Sequence, residues 1–210
     1  MIYYTTFLHS SINFKFEKNV PILLTSIGLS SKLSQDKFKD ISKHLLNKHV
    51  SIVTTAVDGK EQNKYAKVAL NQLKDIGFNK IEFVDLESEP YYDFSSTGIL
   101  YIMGGNTFKL MYYVSRSNFK DSINNLMERE GIYIGVSAGS IILGSTILTA
   151  SEILEDENDI FLDKYEGLGI LPFAIVPHYN TSLEEKVNLF ERHHKVNVKK
   201  ISDDEYIIIN

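Results

Sequence analysis

Short β-branched runs alternate with helix-period segments through most of the chain, and this alternation constrains the fold more than any other feature. The runs are "PILLTSI" (Pro21–Ile27), "VSIVTTA" (Val50–Ala56), "KIEFVDL", "GILYIM" (Gly98–Met103) and "GIYIGV". Between them lie "QDKFKDISKHLLNK", with Phe38, Ile41, Leu45 and Leu46 on one helical face, and "EQNKYAKVALNQLKDIG". The second puts Tyr65, Val68, Ala69, Leu73 and Ile76 in register and ends at Gly77. "TFKLMYYV" and "NFKDSINNLMERE" are also helical in period. Uniformly apolar strands alternating with amphipathic helices predict βαβ units around a mostly parallel central sheet flanked by helices, an α/β fold.

The length of 210 residues suits one domain with a continuous core, and no linker or repeat divides it. Residues 1–19 are aromatic and partly alternating and read as an N-terminal extension, with an added edge strand or a dimer contact as its candidate roles. The segment "SEILEDENDIFLDKYEGLG" (Ser151–Gly169) is acidic and aperiodic and reads as a surface excursion. The final "EYIIIN" reads as a strand.

Composition narrows function. The net charge is −5 with no lysine/arginine cluster, which argues against a nucleic-acid partner. There are no cysteines, so disulfides, thiolate zinc sites and cysteine nucleophiles are excluded together. No apolar run approaches the roughly 20 residues of a membrane span, and no basic n-region leads into an apolar core at the N-terminus. The expectation is a cytoplasmic protein with no membrane partner. No H-E-x-x-H or comparable ligand spacing occurs among the six histidines, so neither a metal nor a cofactor is expected.

The chemistry concentrates in "GIYIGVSAGSIILGS". One hydroxyl, Ser137, stands between Gly135 and Gly139 where a strand meets a helix. At such a corner the side chain is exposed at the carboxyl end of the sheet, and the glycines remove β-carbons where segments crowd. The next amide, that of Ala138, can stabilise a developing oxyanion. Small residues at a strand–helix turn also serve packing alone. A second glycine corner, Gly104-Gly105-Asn106-Thr107, follows another buried strand and can supply a second amide donor; Asn106 or Thr107 there can equally cap the helix. A serine nucleophile needs a base. His9, His44 and His49 lie in the N-terminal segment or at a helix, and His193 and His194 lie on a polar stretch. His178 in "FAIVPHYN" stands at the end of an apolar strand, on the same edge as Ser137 if the two strands are parallel members of one sheet.

Three blocks, "YIMGGNTFKL", "YIGVSAGSIIL" and "IVPHYN", together resemble the peptidase E family of serine peptidases, whose fold is similar to class I glutamine amidotransferases, a three-layer sandwich. The resemblance runs from about Pro21 to the end, and the combination of GGNTF, G-x-SAG and PH carries it. It implies Ser137 as nucleophile, His178 as general base, and oxyanion donors from the amides of Gly105 and Ala138. An acidic residue in "KKISDDEYIII" is implied as the third member. Asp203 is the closest match, with Asp204 and Glu205 adjacent, and Glu152 in "LTASEIL" is the rival acid. Asn106 and Glu152 are also candidate substrate-binding residues.

The implied activity is hydrolysis of short peptides without a cofactor, a small peptide being the expected partner. Peptidase E cleaves after an N-terminal aspartate and carries a Gly- and Arg-containing loop soon after its histidine. Here "HYNTSLEEKVNLFERHH" is short, with Lys186 as its first basic residue, and Met103 precedes a glycine pair instead of a triple glycine. These departures point away from aspartyl specificity. The alternatives are a cyanophycinase-like hydrolase, for which the acidic stretch 152–163 would attract a basic substrate, and a non-catalytic ligand-binding relic.

Overall fold

A computed structural model of the chain describes residues 21–209. The extension expected for residues 1–19 lies outside the described residues. Among the described residues eight strands form: β1 (Ile22–Thr25), β2 (His49–Val53), β3 (Ile81–Val84), β4 (Thr97–Ile102), β5 (Ile132–Val136), β6 (Ala174–Val176), β7 (Val198–Lys200) and β8 (Tyr206–Ile209). The helices are α1 (Lys32–Ile41), α2 (Lys64–Ile76), α3 (Thr107–Val114), α4 (Phe119–Glu128), α5 (Ala138–Ile141), α6 (Thr149–Glu152) and α7 (Glu184–His194).

Six strands make one sheet in the order β3-β2-β4-β5-β1-β8. Its pairings are parallel except that of β8 with β1. The α/β architecture expected from the alternation is therefore present, and the closing "YIII" is paired along its length with β1. Successive residues of the central strands feed opposite cores. Leu23, Ile99, Tyr101, Ile132 and Ile134 join the cluster under α1 and α2. Ile22, Leu24, Leu100, Ile102 and Tyr133 join the cluster under α3, α4 and α5. Burial on both faces explains why these strands read as continuous apolar runs rather than alternating ones.

Helix α2 ends at Gly77 as expected and is also capped at its start. Asn63 Oδ1 accepts from the Tyr65 amide, and Gly77 takes a left-handed conformation at the C-terminus. Its buried face is Ala66, Ala69 and Leu73, whereas Tyr65 and Val68 are 62% and 50% exposed. The helix is turned from the expected face because the two alanines allow a close approach to the sheet, which puts Tyr65 and Val68 on the flank.

Two further expectations are corrected. β6, the strand that precedes His178, does not belong to the main sheet; it pairs in parallel with β7 in a separate two-stranded sheet. The small sheet has its own core of Ile153, Ala174, Val176, Val187, Phe190 and Val198 beneath α6 and α7. The acidic stretch is also more than a surface excursion. Leu162 and Leu168 are buried in the main core, and Thr146 forms an antiparallel bridge with Glu166. Among the described residues no helix is long and apolar enough to cross a membrane.

Candidate active site

The parallel strands β4, β5 and β1 are neighbours, and their carboxyl ends deliver Gly104-Gly105, Ser137 and Ser26 to one rim. Ser137 follows β5 directly, with φ 49° and ψ −111°, outside the regions favoured by L-residues. That strain persists only because the surroundings fix it. The Ser137 amide donates to Thr25 O at 2.9 Å, and Ser137 O accepts from the Ser140 amide at 2.8 Å. A β-carbon at Gly139 would lie 2.4 Å from Ile102 O, and one at Gly135 would lie 2.7 Å from Gly139 O. The two glycines flanking the serine are therefore required by close backbone approach. The fully buried Ser140 completes the corner: its hydroxyl accepts from the Thr25 amide and is shared between Thr25 O (2.9 Å) and Gly135 O (2.8 Å).

His178 leaves β6 with a left-handed φ of 54°. Its Nε2 lies 3.0 Å from Ser137 Oγ and its Nδ1 lies 2.7 Å from Asp203 Oδ1. The carboxylate can only accept, so Nδ1 carries the proton there. Nε2 is then the acceptor for the Ser137 hydroxyl. Asp203 sits in the turn between β7 and β8. Its neighbours are occupied elsewhere: Asp204 and Glu205 both accept from the Ser202 hydroxyl. The rival Glu152 is joined to His194, not to His178.

The second glycine corner lies against the serine. A β-carbon on Gly104 would stand 3.1 Å from Ser137 Cβ. Gly105 has φ +114°, and a β-carbon there would come within 2.1 Å of Ala56 O. Ala138 is the first residue of α5, so its amide has no partner in the helical ladder. Asn106 is the N-cap of α3: its Oδ1 accepts from the Lys109 amide at 2.8 Å and its Nδ2 donates to Glu157 O at 2.7 Å. Contact between Asn106 and a substrate would compete with both bonds. Asp156 adds a second clamp, accepting from the amide and hydroxyl of Thr107 at 3.0 and 2.8 Å. The acidic segment therefore holds the start of α3, immediately after the glycine corner.

Three supporting residues were not singled out from the sequence: Ser26, Ser140 and Asp156. Ser26 does most to assemble the site. Its buried hydroxyl accepts from the His178 amide at 2.9 Å and donates toward Ile201 O (2.8 Å) and Ser202 O (3.2 Å). It thereby ties the end of β1 to both the histidine and the aspartate loop. Its position at a strand end, in "LLTSIG", was the available signal. Just beyond His178, Tyr179 donates to Glu184, and Lys200 pairs with the same carboxylate at 2.8 Å. That carboxylate holds the Tyr179 phenol above its usual range, and the two donors hold Glu184 below its own.

Comparison with known proteins identifies the family. Residues 22–210 match Peptidase family S51. An uncharacterized peptidase of Listeria monocytogenes is 25% identical over 179 residues, spanning 82% of this chain and 87% of its own. A peptidase E of Nostoc is 26% identical over 136 residues, 65% of this chain and 54% of its own. A peptidase E of Haemophilus influenzae is 27% identical, over 63% of this chain and 58% of its own. The fold is shared with a crystal structure of a proposed peptidase E from Listeria monocytogenes. Its TM-score is 0.72 at 23% identity, covering 91% of this chain and 98% of that one. The strained serine corner, the facing imidazole and a match over nearly the whole described chain lead to one assignment: this protein belongs to peptidase family S51, the peptidase E family.

Proposed function

We propose that this chain is a serine peptidase acting on short peptides through Ser137, His178 and Asp203. The observation that carries this reading is the continuous hydrogen-bonded line Ser137 Oγ–His178 Nε2 (3.0 Å) and His178 Nδ1–Asp203 Oδ1 (2.7 Å). Ser137 Oγ attacks the peptide carbonyl while His178 Nε2 takes its proton. The amides of Ala138 and Gly105 hold the oxyanion. The C–N bond then breaks, and His178 returns the proton to the leaving amine. Water, deprotonated by the same imidazole, attacks the acyl-enzyme; the bond from the acyl carbon to Ser137 Oγ breaks, His178 returns the proton to Oγ and the acid is released. Asp203 keeps the proton on Nδ1 and stabilises the imidazolium that forms.

Substrates with a neutral N-terminal residue fit better than those with N-terminal aspartate. The first cation after His178, Lys186, pairs with Glu155 at 2.6 Å, and Lys200 pairs with Glu184. Neither presents a free guanidinium-like fork to a substrate carboxylate. Asp156 and Glu155 are likewise engaged, which works against the acidic stretch as a trap for a basic polymer.

The deciding experiment pairs fluorophosphonate labelling with a dipeptide panel of α-aspartyl, β-aspartyl and neutral substrates. Labelling of the wild type and none of Ser137→Ala, with neutral dipeptides cleaved fastest, is expected. Equal labelling of both proteins would overturn the serine mechanism.

A further inference from the structure

Three side chains with metal-ligand chemistry converge at the seam of α6 and α7, outside the hydrogen-bonded line of Ser137, His178 and Asp203. Glu152 ends α6, and His193 and His194 end α7. Nε2 of His194 lies 3.0 and 2.9 Å from the two Glu152 carboxylate oxygens. The His193 ring is 4.7 Å from the His194 ring, centroid to centroid. One ligand atom from each of the three residues lies within 4.8 Å of the others.

We propose that Glu152, His193 and His194 form a binding site for a divalent transition-metal ion, with zinc the best match. Ligands about 2.0–2.1 Å from a tetrahedral zinc stand roughly 3.4 Å apart. The present spacing closes to that by modest side-chain rotation. Two imidazoles and one carboxylate are a donor set for borderline ions; calcium and magnesium take oxygen shells. Three protein ligands leave the fourth position to water.

The frame around the cluster is fixed. The His194 ring packs 4.4 Å from the ring of the buried Phe190, and its side chain is 23% exposed. Lys195, in a left-handed conformation, ends the helix immediately after His194. Glu191 accepts from the Val198 amide at 2.7 Å and pins the turn into β7. A proton on Nε2 satisfies the Glu152–His194 pair alone, whereas a cation satisfies all three residues at once.

The bound ion would cross-link two elements that bracket the candidate active site. α6 follows α5, whose N-cap is Ser137, and α7 connects His178 to β7 and the Asp203 turn. The expectation of no metal site rested on the absence of a contiguous ligand motif. This cluster is made by tertiary approach of residues 42 apart, Glu152 and His194, which a spacing search does not find.

The test uses tag-free, chelator-stripped full-length protein. Zinc binding is followed by calorimetry, and cobalt binding by the visible spectrum of the ion. One equivalent of zinc and a four-coordinate cobalt spectrum are expected. Glu152→Gln, His193→Ala and His194→Ala should each weaken zinc binding by at least about tenfold, while His44→Ala should not. Glu152→Gln preserves shape, and the circular dichroism and melting of its metal-free form establish that it is folded. Absence of stoichiometric binding would overturn the proposal. So would unchanged affinity in folded Glu152→Gln, or binding that is lost in His178→Ala and retained in Glu152→Gln.

Discussion

Ser137 Oγ and His178 Nε2 stand 3.0 Å apart although their strands belong to different sheets, β5 to the main sheet and β6 to the two-stranded one. No shared ladder sets that distance. The link runs through Ser26, which follows β1 in the main sheet and grips the His178 amide and the Ile201 and Ser202 carbonyls. Ser26→Ala leaves the His178 amide without its partner, a loss of about 1–3 kcal/mol, while Ile201 O and Ser202 O still accept from the Tyr179 and Glu205 amides. It should also lower kcat more than it raises KM, because the imidazole is mispositioned while the substrate surface is untouched. Steady-state kinetics below the melting transition of the variant check this; a change in KM alone would assign Ser26 a purely structural role.

The acidic turn offers a sharper comparison. Asp203 accepts from His178 Nδ1, whereas Asp204, one residue on, accepts from the Ser202 hydroxyl. Asp203→Asn should reduce kcat by about 10³–10⁴-fold, since an amide allows the wrong imidazole tautomer. Asp204→Asn should leave kcat close to wild type. The reverse ranking would move the proposed acid partner of His178 by one position.

The legible and illegible parts of this site divide along physical lines. The strand order could not be read, but the strands themselves could, because burial on both faces leaves an apolar run. The serine corner was legible because backbone crowding forces glycine at 135 and 139. Asp203 was reached by resemblance, and its geometry follows from the β7–β8 turn. The second sheet escaped notice because a three-residue apolar strand such as β6 looks the same whichever sheet it joins. Ser26, Ser140 and Asp156 escaped for another reason. Each acts through hydrogen bonds to residues far away in sequence, and a lone serine or aspartate carries no period.

Two glycines separate packing from chain conformation. Gly169 has φ +66° with nothing within 4 Å of a β-carbon, whereas Gly105 has φ +114° and backbone 2.1 Å away. Gly169→Ala should cost only the left-handed penalty of about 1–2 kcal/mol. Gly105→Ala adds an overpacking cost, for a total of about 3 kcal/mol or more. Because Ala56 or the corner must move, activity should also fall by roughly 10²–10³, the usual effect of losing one oxyanion donor. Chemical denaturation and kcat of the two variants, side by side, test whether the Gly105 amide matters beyond stability.

A charged cluster behind that corner makes stability depend on pH. Lys60, from the loop after β2, donates to Thr55 O at 2.7 Å and to the carboxylates of Asp85 and Glu87, which follow β3. Glu87 also accepts from the Tyr113 hydroxyl of α3 at 2.7 Å. Lys60 and Tyr113 together hold the Glu87 carboxyl down at about 2, and Glu87 in turn pushes the Tyr113 phenol up to about 12. A carboxyl lowered on folding contributes stability in full above its unfolded value, near 4.5, and loses it as pH falls toward 2. The phenol, raised on folding, loses its contribution as pH rises from about 10 toward 12. Glu87 is 40% exposed, so solvent screening limits the effect to about 1 kcal/mol or less. Glu87→Gln should therefore lower the urea midpoint at neutral pH and at low salt. The gap from wild type should shrink between pH 4.5 and 2. A gap that stays constant across this window would mean that Glu87 acts through shape rather than charge. The same loop carries Ala56, whose carbonyl faces Gly105, so any loosening it causes should register first at the glycine corner.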